Sequence, residues 1–139
     1  LGEDNVELPN KLILISPWLD TSVSNPQIDE VQKLDKDLNK EALKIAGIAY
    51  SGKDGKDSYL VNPINGPLDK LKNVTIYTGT YDILNPDVHI LVEKAKEQNV
   101  NIEIKEYEGK EHIWIVRDVK SNEYKELVNR NLKEGLKNT

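Results

Sequence analysis

Two residues of this sequence have the types and the setting to act together, Asp82 and His112. Asp82 lies in Thr78-Gly79-Thr80-Tyr81-Asp82-Ile83-Leu84-Asn85-Pro86-Asp87, and His112 in Glu108-Gly109-Lys110-Glu111-His112-Ile113-Trp114. An imidazole that removes a proton from a hydroxyl must hold one tautomer and tolerate becoming imidazolium. A carboxylate at its other ring nitrogen supplies both conditions. A plainer reading stands beside this one. Asp82 and Asp87 would equally serve as acids at a helix N-terminus, favourable to its dipole, and His112 as an ordinary loop histidine. Asp20, ahead of Thr21-Ser22, reads first as a turn-former. His89, the other histidine, reads as a surface residue. Further chemistries lack their residues. Cysteine is absent, which excludes disulfides, thiolate metal sites and a cysteine nucleophile. Two histidines separated by a helix and a strand argue against a shared metal. No G-x-S-x-G, G-x-G-x-x-G or H-E-x-x-H occurs, and Gly52-Lys53-Asp54-Gly55-Lys56 does not satisfy the phosphate-loop pattern. The expectation is therefore no cofactor and no metal.

The elements that must hold such a pair alternate between strand-like and helix-like blocks. Leu12-Ile13-Leu14-Ile15 is a continuous apolar run, the pattern of a strand buried on both faces, and Ser16-Pro17 ends it. Val74-Thr75-Ile76-Tyr77 is a second such run. Ile102 to Tyr107 alternates, which predicts a half-exposed strand near a sheet edge, and Ile113 to Val116 offers a possible short strand. Asn25-Pro26 and Asn85-Pro86 each place an N-cap before a proline suited to a first helical turn. After the second, Val88, Leu91, Val92 and Ala95 form one apolar stripe, off which His89 lies. The block from about Gln27 to Tyr50 predicts two helices, broken near Asn39 and stopped at Ser51-Gly52. A last helix from about Ser121 carries Tyr124, Leu127, Val128 and Leu132 on one face. Lys53 to Asp69, rich in glycine and proline, reads as a loop with about one turn of structure.

Strands alternating with helices through short connections imply parallel strands and right-handed crossovers. The predicted fold class is α/β, a parallel β-sheet of three strands with helices on both faces. In such sheets ligands bind beyond the carboxyl ends of the strands. The Asp82 and His112 loops follow neighbouring strands at that same end.

The chain has 139 residues, one domain or part of one. Nineteen Lys and Arg against 24 Asp and Glu leave a net charge of −5, which offers nucleic acid or anionic lipid no attraction. No apolar run approaches the roughly 20 residues of a membrane span. The sequence begins at Leu1 and contains no Met, so the expectation is a processed start or a piece of a longer protein. Leu1 to Asn10 lack the basic-then-apolar pattern of a signal peptide. A cysteine-free composition is compatible with the cytoplasm, the location expected here.

Taken together, several segments resemble one family. Leu14-Ile15-Ser16-Pro17-Trp18-Leu19-Asp20 resembles the exit of the sixth strand in α/β-hydrolase esterases of the hormone-sensitive-lipase-like branch. Tyr59-Leu60-Val61-Asn62-Pro63-Ile64-Asn65-Gly66 resembles the stretch before their seventh strand. Thr78 to Leu84 resembles the loop carrying their catalytic acid, and Tyr107 to Trp114 the loop carrying their catalytic histidine. The similarity covers nearly the whole chain and keeps the order acid, then histidine. It implies that residues 1–139 form the C-terminal part of a single catalytic domain, the last three strands with their helices. The implied activity of the parent protein is hydrolysis of small carboxylic esters by a Ser-Asp-His triad, with Asp82 and His112 as catalytic residues. Trp18, Ile83 and Trp114 are candidates for the substrate-binding wall. The nucleophile serine and the glycine-rich oxyanion loop would lie upstream of Leu12, so the chain alone should be nearly inert. A truncated hydrolase would also self-associate through an open sheet edge. The competing expectation is a non-enzymatic, flavodoxin-like domain that binds a ligand or partner and folds as a monomer.

Overall fold

The computed structural model describes residues 7–52, 55 and 57–135, without the side chains of 132–135. The elements in chain order are β1 (Leu12–Ile15), α1 (Ile28–Val31), α2 (Lys40–Ser51), a 3-10 turn (Pro63–Asn65), β2 (Val74–Gly79), α3 (Asn85–Glu97), β3 (Ile102–Tyr107), α4 (Trp114–Arg117) and α5 (Asn122–Gly135). The three strands are parallel in the order β1-β2-β3. Leu12 stands opposite Val74 and Val74 opposite Ile102, and the register continues to Gly79 opposite Tyr107. This is the expected α/β architecture with a parallel sheet.

Side-chain alternation along the strands divides the core between the two faces of the sheet. Leu12, Leu14, Val74, Ile76, Ile102 and Ile104 pack against the α3 stripe Val88, Leu91, Val92 and Ala95. Each fully buried valine or leucine in that layer is worth about 1.5–3 kcal/mol relative to exposure. On the opposite face Ile13, Ile15, Tyr77 and Tyr107 meet Trp114 and Ile115 of α4 and Tyr124 and Leu127 of α5. Leu132, expected on the same face of α5, falls among the side chains outside the described set. A smaller cluster of Val23, Ile28 and Ile83 closes the carboxyl end of the sheet, with Trp18, Val31, Leu38 and Leu43 against it. The break near Asn39 is real: its side chain accepts the Ala42 N–H as the cap of α2, and Gly52 ends that helix at φ +66°.

Four local expectations are corrected. Asn25 is not the cap of α1, which begins at Ile28 after Gln27; its Oδ1 accepts the Gln27 N–H at 3.0 Å in the turn ahead of the helix. β1 is half-buried along its whole length rather than enclosed, because among the described residues it has a strand neighbour on one side only. Residues 114–117 are helical, not extended. Ile113 turns left-handed, at φ 48°, and directs Trp114 and Ile115 under the sheet, where they pack on Tyr77. Asn85 is the first residue of α3 rather than its cap. Its amide instead donates to Thr78 Oγ1 and Glu106 Oε2, at 3.2 and 2.8 Å.

Candidate active site

The acid is placed by the turn between β2 and α3. Asp82 is fully buried. Its N–H donates to the Gly79 carbonyl and its own carbonyl accepts from Asn85 N, at 3.3 and 2.9 Å. Its Oδ1 accepts the Leu84 N–H at 2.9 Å, a side-chain turn spanning two residues. These bonds leave Oδ2 aimed at the next loop, where it lies 3.0 Å from His112 Nδ1. A carboxylate accepts, so Nδ1 carries the proton and Nε2 becomes the basic nitrogen. The His112 side chain is 20% exposed and Asp82 not at all, so the ring bridges the core and the surface.

The two loops are laced together by backbone. Thr80 N donates to the Tyr107 carbonyl at 3.1 Å and Tyr81 N to the Lys110 carbonyl at 3.0 Å. Gly109 N donates to Thr80 Oγ1 at 2.9 Å. Gly79 permits this approach, since a Cβ there would lie 2.1 Å from the Lys110 oxygen. Two longer ties reach the residues that follow each member of the pair. Ile83 N donates to Asp35 Oδ2 at 2.8 Å, and Ile113 N to Ser16 Oγ at 2.9 Å.

The other candidates fall elsewhere. Asp20 is the turn-former expected of it, accepting from Ser22 N and Oγ at 2.9 and 2.7 Å and from Ser24 Oγ at 3.0 Å. Burial alone would raise its carboxyl, but these hydrogen bonds outweigh that and hold it below its ordinary value. Asp87, in the first turn of α3, is 2% exposed and accepts the Asn25 amide at 2.9 Å. Burial pushes its carboxyl above the ordinary value, the Asn25 bond offsets part of that, and the Asp20 charge adds to it. His89 is exposed, as expected, and its Nε2 lies 2.6 Å from Glu106 Oε2.

Of the three residues offered as a substrate wall, Ile83 and Trp114 are core residues. Ile83 is fully enclosed, and Trp114 meets Tyr107 edge-on with ring centroids 4.8 Å apart. Trp18 is half-buried over the Val23–Ile28–Ile83 cluster, and its indole N–H donates to the Asp20 carbonyl at 2.8 Å. Two open cavities of about 620 and 560 Å³ are lined by none of Trp18, Asp82, Ile83, His112 and Trp114. Among the described residues no three His, Cys, Asp or Glu side chains group to hold a metal, and no helix is long and apolar enough to cross a membrane.

Sequence reading reached Asp82 and His112 through their loops but passed over Asp35. The run Lys33-Leu34-Asp35-Lys36-Asp37 looks like a solvated charge segment, and only the buried carboxylate distinguishes its middle residue.

Comparison with known proteins places the chain in a family. The family model described as alpha/beta hydrolase fold matches residues 1–116. An esterase of Acinetobacter venetianus is 34% identical over 104 residues, covering 73% of this chain and 34% of that protein. A Staphylococcus aureus protein provisionally described as an esterase superposes with a TM-score of 0.81 at 25% identity, over 94% of this chain and 45% of the other. A crystal structure of an esterase from the bacterial hormone-sensitive lipase family gives a TM-score of 0.84 at 22% identity, over 93% of this chain and 43% of that one. The chain thus spans about a third of the length of the curated relative and under half of the solved structures. With the family model matching 116 of the 139 residues, the chain belongs to the alpha/beta hydrolase fold family.

Proposed function

We propose that this chain is the C-terminal part of a serine carboxylesterase catalytic domain and supplies two residues of its triad, Asp82 as the acid and His112 as the base. The observation that carries this reading is the 3.0 Å contact between the enclosed Asp82 Oδ2 and His112 Nδ1, at the carboxyl end of a parallel sheet. The similarity to esterases supports the reaction class. A serine from outside this chain attacks the ester carbonyl while His112 Nε2 takes its hydroxyl proton. The same nitrogen then returns the proton to the departing alcohol, and water releases the acid from the acyl-serine by the same two transfers. Asp82 holds the ring and stabilises its positive charge. Of the three wall candidates, Trp18 is the one outside the fully packed core, and the remaining wall of an ester pocket comes from segments outside residues 1–139. The parent protein is read as cytoplasmic.

The test extends the coding frame upstream until a strand-G-x-S-x-G-helix segment is included and follows turnover of a short-chain p-nitrophenyl ester. His112→Ala and Asp82→Asn should each lower kcat by about 10⁴-fold or more with the thermal melt retained. Wild-type turnover in His112→Ala would refute the assignment, as would a start codon a few residues upstream. The 139-residue chain by itself should show no turnover above buffer. It should also self-associate along β1, whose outer edge has no strand partner among the described residues. A monodisperse monomer on size exclusion would refute that part.

A further inference from the structure

Each member of the Asp82–His112 pair is followed by a backbone N–H captured by a buried side chain from a distant part of the chain. Asp35 takes the Ile83 N–H from 48 residues away, and Ser16 takes the Ile113 N–H from 97 residues away. Neither bond is local turn chemistry. Both acceptors are enclosed, Asp35 at 8% exposure and Ser16 at 6%. Both are also fixed from behind. Asp35 Oδ1 accepts from Asp37 N and Leu38 N at 2.8 and 2.9 Å, and Ser16 N donates to the Tyr77 carbonyl at 2.8 Å, extending the β1–β2 pairing.

The backbone shows that these corners are imposed. Ser16 and Ile113, joined by their hydrogen bond, are both left-handed, at φ 45° and 48°. That conformation is costly for a residue with a Cβ, more so for a β-branched one, and persists only where surroundings over-determine it. A third tie runs the same way: Arg117 Nη1, at the end of α4, lies 2.6 Å from Asp37 Oδ2, in the turn that Asp35 organises.

We propose that Ser16 and Asp35 are positioning residues that hold the two corners setting the Asp82 Oδ2–His112 Nδ1 contact. The inference rests on the reading of that contact as a catalytic pair. Ser16 locks the residue after the histidine to the end of β1, and Asp35 locks the residue after the acid to the α1–α2 connection. Both locks come from one segment, residues 16–35, so the loops are referenced to a common base. Displacement of a reacting group by about 1 Å costs about 10²-fold in rate, so such corners matter to the chemistry without touching substrate.

The test uses the 139-residue chain with ¹⁵N-labelled histidine, which contains two histidines and therefore its own reference. Hydrogen exchange of the His112 Nδ1–H with water is followed by its downfield proton resonance. Asp82→Asn defines the broken pair. Ser16→Gly removes the acceptor while allowing φ 45° without strain, so a change cannot be assigned to backbone distortion. Asp35→Asn leaves one acceptor oxygen for three N–H groups. Each of these two variants is expected to speed the exchange by about tenfold, the loss of one ordinary hydrogen bond, with His89 unchanged. Unchanged exchange in both, while Asp82→Asn abolishes the resonance, would overturn the positioning role and leave the pair standing. Equal loosening of His89 would also overturn it, in favour of a general stabilising role. If Asp82→Asn matches wild type, the pair itself fails and the positioning role with it. If Asp35→Asn does not fold, Ser16→Gly decides alone.

Discussion

Replacing Gly79 by alanine tests how closely the histidine loop is seated on the end of β2. The added Cβ would lie 2.1 Å from the Lys110 oxygen and 2.6 Å from its carbonyl carbon. Ordinary contact begins near 3.4 Å, so strand and loop must separate by about 1.3 Å. The obstacle is backbone, so no side chain can swing aside. The same carbonyl accepts the Tyr81 N–H at 3.0 Å, and that separation takes it out of hydrogen-bonding range. Overpacking costs about 1–3 kcal/mol and the lost bond about 0.5–1.5 kcal/mol. Gly79→Ala should therefore destabilise by about 1.5–4.5 kcal/mol, a large part of a typical total of about 5–15 kcal/mol. Urea unfolding followed by circular dichroism, with wild type and variant at one protein concentration because self-association shifts the midpoint, would measure it as a lower midpoint at unchanged slope. Gly109→Ala is the control. That glycine has φ +70° with nothing within 4 Å of its Cβ position, so its cost of about 1–2 kcal/mol is conformational. A Gly79→Ala unfolding free energy within about 0.5 kcal/mol of wild type would refute the steric argument.

Three further outcomes follow from the same contacts. Because burial raises the folded Asp87 pKa, its contribution to stability is complete below its ordinary value of 3.8 and is lost as pH rises through the folded value; Asp87→Asn should therefore gain stability relative to wild type as pH rises from 3 to 7, and a pH-independent difference in thermal melts would refute this. Glu103 has the opposite sign, held low by Arg130 at 2.8 and 2.9 Å, so its stabilisation is present above its ordinary value of 4.5 and lost on acidification. With both side chains 36% exposed, Glu103→Gln should cost only about 0.2–1 kcal/mol at pH 7, less at 1 M salt, and a salt-independent cost would count against the ion pair. Asn62→Ala strips the acceptor from Thr21 N and Oγ1, bonded at 2.7 and 2.6 Å in the interior, and should cost about 2–4 kcal/mol in urea unfolding, with a neutral result refuting the burial argument.

The regular elements were legible where pattern and length agreed. The run Val74 to Tyr77 reads as a doubly covered strand, and β2 is buried from end to end because it pairs on both sides. The stripe Val88, Leu91, Val92 and Ala95 has helical spacing and is buried as one row. Ile113 to Val116 failed as a strand, although the equally short run Leu12 to Ile15 succeeded, because nothing local to it reveals the left-handed turn at Ile113 that sends Trp114 and Ile115 under the sheet. Asn85-Pro86 looked like a cap because capping propensity is local, whereas the partners that claim the Asn85 amide arrive from β2 and β3.

By itself the sequence determined which residues could do chemistry, for a composition with no cysteine and two histidines leaves few combinations. It also determined that Asp82 and His112 lie at one end of the fold, because parallel strands with short crossovers expose all their following loops on the same side. Only the tertiary structure decided that the two side chains meet. Their 3.0 Å contact depends on Gly79 letting one loop lie on another, and on Ser16 and Asp35 fixing the backbone after each residue. Those partners are 30 to 97 residues apart, and local propensity does not report on distances of that kind.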